Sequence, residues 1–121
     1  MKKIIIMAAM VIIATGCYWD NVETLFPEVE SCDTLDVSFA SDIVPILRNH
    51  CYSCHSNANA PDFAFGLSLE DYEDVSAMSE RIVGAIMHND GFIPMPQGGE
   101  QLNSCQIEKI VAWVNQASLN N

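Results

Sequence analysis

Cys51-Tyr52-Ser53-Cys54-His55 is the stretch on which the reading of this chain turns. Two thiols three positions apart, followed at once by an imidazole, form the pattern C-x-x-C-H. The order has a chemical reason. Two thiols can add across the two vinyl groups on one edge of a porphyrin, and the adjoining imidazole can then bind the iron as proximal ligand. With five Cys and three His in the chain, chance placement gives about 0.005 such matches, so composition does not account for it. A bare C-x-x-C also occurs in zinc knuckles and in thioredoxin-like redox pairs. Zinc calls for a second ligand pair of similar spacing, and a thioredoxin site calls for a βαβ pattern. The sequence has neither. The motif therefore predicts one covalently bound haem c, attached through Cys51 and Cys54 and ligated by His55.

The N-terminus sets the compartment. Met1-Lys2-Lys3 is a short basic region, followed by ten apolar residues from Ile4 to Ile13. A bilayer span needs about 20 residues, so this run reads as the core of a signal peptide. Ala14-Thr15-Gly16-Cys17 then resembles the lipobox of bacterial lipoproteins, although Leu is commoner at the place of Ala14. That resemblance implies cleavage after residue 16 and lipidation of Cys17; the alternative is an ordinary secretory signal with a chance cysteine. Several acyl chains would hold the protein firmly, where one alone binds only marginally. Tyr18 follows the cysteine. An Asp there retains lipoproteins at the inner membrane in the well-studied sorting system, so Tyr18 favours the outer membrane. The expected location is the cell envelope, lipid-anchored to the membrane and facing the periplasm.

Once residues 1–16 are removed, three bases, Arg48, Arg81 and Lys109, stand against sixteen acids. So acidic a chain is not a nucleic-acid binder. It suits a basic redox partner reached by electrostatic steering, although a carboxylate-rich surface also serves plain solubility. Cys32 and Cys105 are left once Cys17, Cys51 and Cys54 are assigned. In an oxidising compartment that even remainder predicts a disulfide; the alternative is two unpaired buried thiols.

The expected organisation is a signal peptide over 1–16, a lipid-anchored acidic tether over 17–37 and a haem domain over 38–121. Within the last, Phe39, Ile43, Ile46 and Leu47 fall on one helical face leading to the motif. Pro45 fits a first helical turn, which favours Ser41 over Ser38 as its cap. Ser68-Leu69-Glu70-Asp71 reads as a capping box opening a short acidic helix. A further helix is predicted over Ser79 to His88, with a turn at Asn89-Asp90-Gly91. The last helix starts at Asn103 or Ser104, with Gln106 three residues after Asn103, and presents Ile107, Ile110, Val111 and Val114 beside Trp113. No stretch alternates as a strand does.

Ile93-Pro94-Met95-Pro96-Gln97-Gly98-Gly99 completes the pattern. With a helix leading into C-x-x-C-H, a proline-flanked Met forty residues later and a closing helix, residues 38–118 resemble the class I cytochrome c domains of bacterial lipoproteins. The resemblance implies an all-α fold, with N- and C-terminal helices packed around one haem. It implies Met95 as the second axial ligand, and Trp113 as a helix-interface aromatic within reach of Phe39. Met78 and Met87 lie in helical stretches, where Met is more often core filler. Met87 or His88 is the alternative ligand, and His50 reads as a surface residue. With His55 and Met95 on the iron, the expected function is transfer of single electrons between redox partners outside the cytoplasmic membrane, not enzymatic catalysis. The alternatives are a haem sensor or enzyme with a displaceable distal ligand, and an accessory subunit of a larger redox complex.

Overall fold

The apolar series Phe39, Ile43, Ile46 and Leu47 lies buried along one helical stretch in the computed structural model, which describes residues 32–121. The stretch begins as a π-helical turn, Phe39–Ile43, and continues as α1, Val44–His50. Both Asp42 and Ile43 donate main-chain bonds to the Ser38 carbonyl, at 2.9 and 3.2 Å. The register then tightens to α spacing at Pro45, the residue with no donor to continue the wider ladder. The cap is therefore Ser38 and not Ser41: the Ser38 hydroxyl accepts from the Ser41 amide at 3.2 Å. A π turn adds helical residues ahead of a proline that α geometry would have placed in the first turn.

The remaining elements are α2 (Tyr52–His55), α3 (Ala60–Phe63), α4 (Tyr72–Ala77), α5 (Ser79–Ile86) and α6 (Ser104–Asn115). The fold is all-α, with no strand among the described residues, and no described helix is long and apolar enough to cross a membrane. In α6 the reading from sequence is realised in detail. Asn103 accepts from the Gln106 amide at 2.9 Å, and the Gln106 side chain accepts from the Asn103 amide at 3.2 Å. This reciprocal pair satisfies two donors that the helix itself cannot.

The predicted box at Ser68 does not form. The Ser68 hydroxyl donates to the Asn57 side-chain carbonyl at 2.6 Å instead, and α4 begins only at Tyr72 with no side-chain cap. α5 stops at Ile86, two residues short of His88, which takes a left-handed φ of 56°.

Packing centres on Trp113, 1% exposed. Phe39 lies against it with ring centroids 5.4 Å apart, and Tyr72 meets Phe39 edge-on at 5.2 Å. Such pairs contribute about 0.5–1.5 kcal/mol beyond the area they bury. The polar handles are also engaged: Trp113 Nε1 donates to the Leu119 carbonyl at 2.9 Å and the Tyr72 hydroxyl to that of Ser118 at 2.8 Å. Asn121 closes the start of the first helical stretch by accepting from the Phe39 and Ala40 amides, each at 3.0 Å. Lys109 on α6 is paired with Asp42 at 2.7 Å.

Residues 32–37 belong to the same packed unit, which runs from Cys32 to Asn121. Val37 is buried and donates to the Gln116 side chain, which in turn donates to the Thr34 carbonyl, both at 3.0 Å. Cys32 is brought to disulfide distance of Cys105 at the head of α6, with the Cα atoms 5.3 Å apart. The packed unit thus begins six residues ahead of the sequence-based boundary at residue 38.

A candidate haem-attachment site

α2 is a single helical turn, and its geometry groups the motif. Cys51, Cys54 and His55 stand at i, i+3 and i+4, the spacing that places side chains on one helical face. The turn hangs from α1 through the Cys51 amide, which donates to the Leu47 carbonyl at 2.8 Å. Asn59 closes its far end, its side-chain Nδ2 donating to the Tyr52 and Ser53 carbonyls at 3.3 and 3.0 Å. Cys51 and Cys54 are free thiols, the first half-buried and the second exposed. Burial pushes the Cys51 thiol up to about 11, because a thiolate loses more hydration there than a thiol does.

His55 is held at both ring and backbone. Its Nδ1 lies 2.9 Å from the Leu67 carbonyl. A carbonyl can only accept, so that nitrogen carries the proton, and in the neutral ring this leaves the lone pair on Nε2 for a metal. The His55 carbonyl receives the Leu69 amide at 2.8 Å. Asn57, tied to Ser68, also donates to Glu70 at 2.7 Å and to Asp71 at 3.0 Å. The loop after the motif is therefore a hydrogen-bonded support for one ring orientation, and the acids at 70 and 71 help to build it.

Met95 sits on a separate loop and is half-buried. Its amide donates to the Ala85 carbonyl at 3.0 Å, and its carbonyl lies 3.1 Å from His88 Nε2. Of the alternative ligands, Met87 is 45% exposed, and His88 has one ring nitrogen committed to the Met95 main chain. His50 faces the Gln106 side chain at 3.0 Å. Cys17 lies outside the described residues. No group of three or more His, Cys, Asp or Glu converges on a bare-ion site among the described residues.

The residues fit haem c. Two free thiols and a lone-pair imidazole nitrogen come from one turn, and the tautomer is fixed by the Leu67 carbonyl. Large apolar side chains at the end of α3, just after it and in the loop after α5 are also exposed: Phe63 at 67%, Phe65 at 105%, Phe92 at 41% and Ile93 at 66%. The Leu67 carbonyl and His88 are site features that sequence reasoning missed. The first is main chain and carries no residue signature; the second was weighed only as a ligand. Compared with protein families, characterised proteins and solved structures, the chain finds no match.

Proposed function

We propose that this chain is a class I cytochrome c-like protein that carries single electrons between redox partners at the cell envelope. The observation that carries the reading is the 2.9 Å contact between His55 Nδ1 and the Leu67 carbonyl. A histidine in a C-x-x-C-H turn whose distal nitrogen is left free by a backbone acceptor is prepared as a metal ligand.

When bound, haem c supplies a one-electron iron couple. The chain's own residues do the rest. Cys51 and Cys54 would hold the group through thioethers, the S–H of each thiol adding across one vinyl group. His55 would offer Nε2 to the iron, and Met95 its thioether sulfur. Two side-chain ligands keep substrate off the metal and favour electron transfer over catalysis; a Met partner raises the potential relative to a second His. The acidic surface favours a basic redox partner and a salt-sensitive encounter. Lipid at Cys17 would hold the protein to the membrane, facing the periplasm.

The full chain produced with c-type haem maturation tests the first step. Haem should stay on the polypeptide after denaturation, seen as a mass increment of one haem, and should be lost in C51S/C54S. A wild-type chain without covalent haem ends the reading.

A further inference from the structure

We infer that His88 is a positioning residue for Met95, fixing the main chain that presents the thioether. The inference rests on Met95 being the second haem ligand. It adds a device that neither the C-x-x-C-H motif nor the Met-Pro loop contains.

Met95 is gripped from both sides by the end of one helix. Its amide donates to the Ala85 carbonyl of α5 at 3.0 Å, and its carbonyl accepts from His88 Nε2 at 3.1 Å. Between these two residues the loop from Asn89 to Met95 leaves α5 and returns to it. A third contact fixes the return: the Phe92 ring lies directly on Gly84, so close that a Cβ there would come within 2.6 Å of the ring carbons. Glycine is unfavourable in a helix interior relative to Ala, and here its missing side chain is the seat for Phe92.

His88 carries backbone strain at the same place. Its φ of 56° is in the left-handed region, which non-glycine residues enter at a cost. A left-handed residue directs the chain away from α5, and the ring it carries reaches the Met95 carbonyl seven residues on. Local strain joined to a long side-chain contact suits positioning better than packing, since His88 is exposed.

The test uses the haem-loaded full chain and an external ligand. Imidazole competes with Met95 for oxidised iron, so its apparent affinity reads how often the thioether is off the metal. His88→Gly removes the ring while accepting the left-handed backbone without strain, so folding is protected; His88→Gln keeps a donor. Losing one hydrogen bond translates to about threefold to tenfold tighter imidazole binding. We expect that gain in H88G, with thermal stability no lower than wild type, and return to within about twofold of wild type in H88Q. Unchanged imidazole affinity in H88G, alongside a Met–iron charge-transfer band that M95A abolishes, would overturn the role of His88 and leave Met95 as ligand. A wild type without that band would overturn both.

Discussion

Two regions of this small helical unit are built differently. Around Trp113 the chain closes on itself: Phe39, Ile43, Leu47, Val75 and Ile110 are buried, and the Tyr72 and Trp113 polar atoms both have backbone acceptors. No buried side-chain polar atom among the described residues lacks a partner. At the end of α3 and just after it, and in the loop after α5, Phe63, Phe65, Phe92 and Ile93 stand exposed, and in the motif Cys51 and Cys54 are unpaired thiols. Leu35 and Leu119 are exposed too, but each stands singly in its segment, which is ordinary for a surface. Hydrogen bonding is no poorer in those loops, since Asn57, Asn59, Ser68 and His88 all hold backbone or side chains in place. The lesson is that the Trp113 region is stabilised by its own side chains, while the two loops use their polar contacts to orient a few chemical groups.

Breaking the Trp113 region should have the largest effect. W113A removes the largest buried side chain and a hydrogen bond, and is expected to destabilise by about 3–5 kcal/mol, measured by denaturant unfolding. A loss under 1 kcal/mol would mean that this core is not what holds the helices. Removing the Cys32–Cys105 link, which joins residues 73 apart, should come next. Chain entropy assigns about 4 kcal/mol to a loop of that length, and native-state effects commonly reduce it. A C32S/C105S melting curve superimposable on wild type would show that the link adds nothing.

The Asp42–Lys109 pair gives a smaller, pH-dependent term. Hydrogen bonding from Lys109, then from the Ser38 amide, holds the Asp42 carboxyl below its ordinary value of 3.8. A depressed carboxylate stabilises the fold fully above its unfolded value and loses that contribution as pH falls through the folded one. D42N is expected to cost about 0.5–1 kcal/mol near neutrality, and the difference from wild type should vanish in strong acid. A gap that persists there would locate the effect elsewhere. In the loop after α3, F65G should be neutral or slightly stabilising in unfolding of the haem-free chain. The side chain is fully exposed, and φ is 53°. A loss above 1 kcal/mol would make Phe65 a packing residue and erase the contrast.

The Trp113 region was partly legible in the sequence. The apolar spacing of Phe39, Ile43, Ile46 and Leu47, and the capping pair Asn103 and Gln106, are local patterns with local causes. Tyr72, Gln116 and Asn121 were not legible, because each acts across 46 or more residues. Ser38 lost to Ser41 in the sequence reading because a π turn shifts the register. Ser68 was misread because its hydroxyl serves Asn57 in place of a helix. At the candidate site, residue identity exposed Cys51, Cys54, His55 and Met95. The supports of His55 and Met95 are the carbonyls of Leu67 and Ala85, which any residue could supply.

The central claim is that the two free thiols, His55 and Met95 serve one haem. Optical spectra of the oxidised and reduced full chain, matured with haem and set beside M95A, test it most directly. The account predicts a covalent low-spin haem with a Met–iron charge-transfer band that disappears in M95A. A high-spin wild type that binds carbon monoxide rapidly, with a spectrum unchanged by M95A, would contradict it.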